Sequence, residues 1–371
     1  MNMKKIFAFA GILLALGMGS AFAKNASNEN KIKVVTTIFP EYDWVKKIVG
    51  EKAAEVELTL LLNNGVDLHS YQPSVKDIAK IQDADIFVYV GGESDEWVDD
   101  VLKNVKSPNQ KVINLLEVLG DKVKAEEIVE GMEHEHHHGH DHDDDEHDHD
   151  DHDGDHHDEH GRNHDEHEHE HDAHEHHHDD DHNEHHHDHD HEEELDEHVW
   201  LSLKNAQILT AAICDALCQA DSKNAEVYKK NLASYNKKLA DLDSKYEAAV
   251  KTASKNTLLF GDRFPFRYLV DDYGLKYFAA FSGCSAESEA SFKTIVFLSE
   301  KVNELDLQRV CQIESGNGKI AKTVISNSKN KKAKVLTLDS LQSTTAKQIK
   351  KGATYLGAME KNLEVLKEAL K

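Results

Sequence analysis

Past its first two dozen residues the chain has no apolar run long enough to cross a bilayer, which excludes a membrane span there. Outside the low-complexity residues 134–191 it has no H-E-x-x-H pair of the kind that holds a hydrolytic zinc and its general base, and no nucleophile–base arrangement stands out. The stretch Glu314-Ser315-Gly316-Asn317-Gly318-Lys319 lacks the spacing of a phosphate loop. Cysteine is scarce: Cys214, Cys218, Cys284 and Cys311 are the four. None lies near the start of the chain, which argues against lipid attachment there. Four cysteines allow three full pairings and their spacing does not choose among them. Cys214 and Cys218, four residues apart in a helical pattern, read equally well as a thiol pair on a core face.

What is present at the start is a leader. Lys4 and Lys5 precede an apolar run from Ile6 to Met18, and Ala21-Phe22-Ala23 has the small-x-small form of a cleavage site. Residues 1–23 are therefore expected to be a signal peptide, leaving a mature chain that begins at Lys24, free in the periplasm and without a lipid anchor. About 348 residues remain, enough for two domains and an insert.

The formal charge of −27 belongs to one segment. Residues 134–191 hold 26 of the 28 histidines and 25 carboxylates against a single arginine. Outside that segment the charge is ordinary, and the overall acidity argues against nucleic-acid or membrane-surface binding. The segment has one alanine and no larger apolar residue, so it cannot build a core and is expected to be disordered without metal. A linker has no need of histidine. Imidazoles such as His134, His136, His137, His138, His140, His176, His177, His178, His185, His186 and His187 are good ligands for zinc, nickel or copper, hence candidate weak, auxiliary metal sites.

Apolar runs alternate with helical stretches on both sides of this tract. Ile32–Ile38, Val56–Leu62, Ala84–Val90 and Val112–Leu116 read as strands before it. Thr257–Phe260, Tyr277–Phe281, Val310–Ile313 and Val335–Leu338 read as strands after it. The runs are continuous rather than alternating, the mark of parallel strands buried on both faces. Between the two series, residues 221–254 form the clearest helix. Tyr228, Leu232, Tyr235, Leu239, Leu242, Tyr246 and Val250 make one apolar stripe, with no Gly or Pro inside.

Only His69 and His198 lie outside the tract, and neither sits in a helical stripe. His69 follows a strand and turn, at the carboxyl-terminal strand end where doubly wound sheets gather ligands. Imidazole is a favoured zinc ligand, and such sites often add carboxylates.

Leu68-His69-Ser70-Tyr71-Gln72-Pro73-Ser74, Asp85-Ile86-Phe87-Val88-Tyr89-Val90-Gly91-Gly92 with Glu96-Trp97, and His198-Val199-Trp200-Leu201 occur in that order. Tyr273-Gly274-Leu275 and Thr337-Leu338-Asp339-Ser340-Leu341 follow. Together they resemble the zinc- and manganese-binding receptors of ABC importers, the ZnuA-like solute-binding proteins of cluster A-I. The resemblance implies an α/β chain of two doubly wound parallel-sheet lobes joined by one long rigid helix, with the histidine-rich insert in the first lobe. The lobes would be 31–220 and 255–371, the insert 134–191 and the helix 221–254.

The resemblance also implies metal ligands at His69, His198 and Asp339, and a third histidine, or a glutamate, at the position of Gly261, which has no side chain to offer. Asp262 is the neighbouring substitute, unless Arg263 holds it in an ion pair; Glu287 and Glu289 are further candidates. The implied activity is capture of Zn²⁺ as cargo by a monomer, without catalysis, and its delivery to a membrane permease. A manganese, nickel or copper receptor, an exported metal buffer or adhesin, and a zinc hydrolase are the competing readings. Two histidines with two carboxylates would suit manganese as well as zinc; the tract favours zinc.

Overall fold

The computed structural model describes residues 31–132 and 194–371, apart from 286 and 288. The expected leader at 1–23 and the expected disordered tract at 134–191, with its auxiliary histidines, lie outside the described residues. Strands β1 (Ile32–Thr36), β2 (Val56–Leu60), β3 (Ile86–Tyr89) and β4 (Lys111–Asn114) form one sheet in the order β2-β1-β3-β4. Strands β5 (Thr257–Arg263), β6 (Lys276–Phe281), β7 (Arg309–Ile313) and β8 (Lys334–Leu338) form a second, in the order β6-β5-β7-β8. Every pairing is parallel, as the continuous apolar runs require. Ile86, Phe87, Val88 and Tyr89 are all buried, so β3 is covered on both faces.

The helices are α1 (Phe39–Val49), α2 (Val75–Gln82), α3 (Trp97–Leu102), α4 (Leu115–Leu119), α5 (Leu203–Ala220), α6 (Ala225–Lys251), α7 (Arg267–Tyr273), α8 (Phe292–Glu304), α9 (Lys319–Asn327), α10 (Ala346–Lys350) and α11 (Tyr355–Ala369). Each strand of the first sheet is shorter than the apolar run that marks it, and at β4 the cause is a cap. Asn114 ends β4 because its side chain accepts the Glu117 amide, capping α4, so Leu115 and Leu116 are helical. Among the described residues no helix is long and apolar enough to cross a membrane.

Helix α6 joins the two halves. Its 27 residues span about 40 Å at ~1.5 Å per residue. Tyr228, Tyr235, Leu239, Leu242 and Tyr246 of the expected stripe are buried. Near its start Asn231 donates to the Ile48 carbonyl of α1 at 3.0 Å. Near its end Tyr246 donates to the Met359 carbonyl of α11 at 2.6 Å and stacks on Tyr273 of α7.

A second tie runs the other way. Tyr355, at the start of α11, is fully buried against the first half. Its hydroxyl donates to the Trp200 carbonyl at 2.6 Å, its amide to Asp43 at 2.9 Å, and its ring meets Trp44 edge-on at 5.1 Å. Trp200 in turn donates to the Ser340 carbonyl after β8 at 2.9 Å. One apolar core therefore runs from the first sheet to the second. A wide hinge opening would expose it.

Candidate metal centre

The order of each sheet reverses between its two central strands, β1 and β3 in one and β5 and β7 in the other, and loops at the carboxyl ends of such strands form a crevice. His69 lies in a short 3₁₀ turn, Leu68–Ser70, after β2, and Asp67 caps that turn by accepting the His69 amide at 3.2 Å. Ser94 follows β3. His198 immediately precedes α5 and its leading turn, Val199–Leu201. Cys284 follows β6, and Asp339 and Gln342 follow β8.

These loops bring the two imidazoles face to face, with His69 Nε2 and His198 Nε2 3.1 Å apart. Two nitrogens on one tetrahedral zinc, each at ~2.0–2.1 Å, are separated by roughly 3.3 Å, so the spacing fits a shared ion. The opposite ring nitrogens are held. His69 Nδ1 is 2.8 Å from Ser94 Oγ and 3.5 Å from Glu197 Oε2. His198 Nδ1 is 3.0 Å from Asp196 Oδ1, which also accepts the His198 amide at 2.9 Å. An acceptor at Nδ1 fixes the ring and directs Nε2 at a metal.

Burial, and then the neighbouring charges of His198 and Arg263, hold the His69 pKa down at about 3, so this ring is a neutral acceptor. Burial opposes charge on His198 too, but Asp196, Glu197 and Asp67 outweigh it and leave its pKa above the usual imidazole value. A proton on His198 Nε2 thus occupies the space between the rings that a metal would take. The Gln342 carboxamide stands beside it. With its nitrogen turned to Asp67 it donates to Oδ2 at 2.6 Å and Oδ1 at 3.1 Å, and its oxygen faces His198 Nε2. Arg263 closes this network by pairing with Asp67.

The carboxylates expected from the sequence accept backbone amides. Among the described residues, the one group of metal-binding side chains that includes both imidazoles is His69, His198 and Cys284, their ligand atoms all within 4.8 Å of one another. Asp262 is turned to the loop after β7, accepting the Ile313 amide at 3.3 Å and abutting Gly316. Arg263 is paired with Asp67 rather than with Asp262. Asp339 accepts the Leu341 amide at 2.9 Å and shapes its own loop; burial, and then Glu314, lift its pKa to about 6. Glu289 pairs with Lys319 at the surface. A Cβ at Gly261 would lie 2.4 Å from the Ala321 Cα of α9, so the strand needs glycine to pack on that helix.

Sequence reasoning does not reach Cys284, which it reads only as one of four cysteines open to disulfide pairing. All four cysteines are free, with Cys214 and Cys218 3.9 Å apart along α5. The available signal was position, since Gly283-Cys284 follows a parallel strand at its carboxyl end. Burial, then Glu126, Glu197 and Asp196, push the Cys284 thiol pKa up. Its amide donates to Glu126 at 2.8 Å. Glu126, Glu194 and Cys284 form a second close group. Here the segments that flank residues 133–193 in sequence meet, Ala125 bridging Leu195 and the Glu126 amide donating to the Glu194 carbonyl at 2.7 Å. A larger hollow, about 1170 Å³, lies at the opposite, amino-terminal edge of the first sheet, where lining lysines and carboxylates such as Lys33 and Asp83 pair with each other.

The model of the periplasmic zinc-uptake complex component A family, ZnuA, matches residues 34–369. The chain belongs to that family. It is 32% identical to the zinc-binding protein AdcA of Streptococcus pyogenes serotype M3, over 96% of this chain and 61% of that protein. A Streptococcus pneumoniae relative called the zinc-binding lipoprotein AdcA is 31% identical, over 99% of this chain and 61% of its own length. The chain thus spans less than two thirds of these AdcA proteins. The high-affinity zinc uptake system protein ZnuA of Bacillus subtilis is 30% identical over 97% of this chain and 95% of its own. Among solved structures, the Zn(II)-bound ZnuA-like domain of Streptococcus pneumoniae AdcA superimposes with a TM-score of 0.62 at 26% identity, covering 92% of this chain and 99% of that domain.

Proposed function

We propose that this chain is an exported receptor that captures Zn²⁺ between its two lobes and passes it to the membrane permease of an ABC importer. The observation that carries the reading is the pair of Nε2 atoms 3.1 Å apart, each on a ring clamped from behind. His69 and His198 are the ligands this assigns. Asp339 and Asp262 act in it as loop-shaping groups, which removes the two-carboxylate argument for manganese. The chain works as a monomer, by capture and release, without chemistry on the ion and without nucleic acid. Residues 1–23 are the leader in this reading. The lobes are 31–220 and 255–371, with 221–254 between them.

The tract at 134–191 gathers zinc in this reading. Its donors have no fixed geometry, and ordering a flexible chain around an ion costs roughly 1–2 kcal/mol per residue fixed, so its sites are several and weak. Glu126 and Glu194, which flank the tract in sequence, lie beside Cys284. Calorimetric zinc titration of the full chain and of a 134–191 deletion tests this. The expected result is one tight site in both proteins, with the weak sites confined to the full chain. Loss of the tight site on deletion would overturn it.

A further inference from the structure

We propose that Cys284 is the third protein ligand to the captured zinc, completing with His69 and His198 a two-nitrogen, one-sulfur donor set that spans both lobes; this rests on the receptor reading above. His69 comes from the first sheet, His198 from the entry to α5, and Cys284 from the second sheet. Their ligand atoms already lie within 4.8 Å of one another. Donors on one tetrahedral zinc sit roughly 3.3–3.7 Å apart, given bonds of ~2.0–2.1 Å to nitrogen and ~2.3 Å to sulfur, so a side-chain adjustment of about 1 Å closes the set.

The backbone is built for the approach. Gly283 lies against the His198 ring, where a Cβ would be 3.0 Å from Cε1 and 3.2 Å from Nδ1, so a larger residue would push the loop and its thiol away. The Cys284 amide is tied to Glu126, and the cysteine has no disulfide partner. The carboxylates expected to serve instead are turned to backbone amides, Asp262 to Ile313 at the end of β7 and Asp339 to Leu341 of its own loop.

On binding, the Zn–S bond forms as the S–H bond breaks, the thiol proton leaves to solvent, and nothing is oxidised or reduced. Thiolate is a soft donor that suits zinc and serves manganese poorly. The donor set therefore favours zinc by its own chemistry, independent of the histidine tract. Three protein ligands leave a position on the Gln342 side for water, and an incompletely enclosed ion is one that can be handed on.

X-ray absorption at the zinc edge tests the assignment on the reduced full-length chain loaded with one equivalent of Zn²⁺. The tract contains no cysteine, so zinc held there contributes no sulfur. The expected result is one sulfur neighbour at ~2.3 Å, lost in Cys284→Ser and kept in Cys311→Ser. Zinc affinity should fall roughly a hundredfold in Cys284→Ser, and manganese affinity much less. A wild-type zinc shell of nitrogen and oxygen only, in protein that still binds zinc tightly, would overturn the cysteine assignment and leave the receptor standing. Sulfur retained in Cys284→Ser would also overturn it. Absence of any tight zinc site would overturn the receptor reading itself.

Discussion

The two lobes share one sheet order yet contribute unequally to the site. The first presents imidazoles clamped from behind by Ser94 and Asp196, with Glu197 close to His69. The second presents a thiol on the loop after β6, its amide held by Glu126 from the first half. Equivalent scaffolds thus carry a rigid half and an adjustable half. The difference teaches that the fold supplies only the place, the crevice at the strand ends, while short loops supply the chemistry. It also makes the bound ion the link between lobes that the shared core already holds nearly in register.

The sharpest way to break the comparison is to remove the rigid half. His69→Ala and His198→Ala should each weaken the tight zinc site by about a hundredfold or more. Structural zinc sites are worth about 10–16 kcal/mol over about four donors, so one donor contributes on the order of 3 kcal/mol. Competition against a zinc chelator measures this, and unchanged affinity in either variant would remove that residue from the site.

Acid should do reversibly what the alanines do permanently. His198 must lose its Nε2 proton before it can hold metal, and its pKa lies above the usual imidazole value. Affinity should therefore fall as pH drops through the neutral range, about tenfold per unit for this proton and about tenfold per unit more for the thiol proton that Cys284 releases. His69, held at about 3, adds nothing between pH 5 and 8. Chelator competition across that range reads the slope. Asp196→Asn sharpens the point. It loosens the ring and lowers the His198 pKa, so affinity at pH 7.5 should drop roughly tenfold while the pH slope flattens. A drop with an unaltered slope would mean that Asp196 only packs.

The smallest effect should come from Asp339→Ala. Its carboxylate holds the Leu341 amide in a loop where Leu341 has positive φ, so its loss should cost about 1 kcal/mol of stability and less than tenfold in zinc affinity. Thermal unfolding beside chelator competition separates the two. A hundredfold affinity loss would restore Asp339 as a ligand.

Much of this was legible in the chain. Continuous apolar runs marked the parallel strands, and the stripe from Tyr228 to Tyr246 marked α6, because both patterns are local consequences of burial. His69 and His198 stood out because the chain outside residues 134–191 has no other histidine. The remaining donor was not legible. Cys284 joins the imidazoles only through the loop after β6, a long-range encounter no spacing encodes. Gly261 misled because a glycine needed for packing on Ala321 looks, in sequence, like a missing ligand. The ends of helices and strands shifted where a cap decided them, as at Asn114.

The most direct test of the central claim is anomalous diffraction at the zinc edge from crystals of the full-length chain grown with one equivalent of Zn²⁺. The account predicts a dominant peak between the lobes, ~2.0–2.1 Å from both His69 Nε2 and His198 Nε2. A cleft with no peak, or a dominant peak away from both imidazoles, would contradict it.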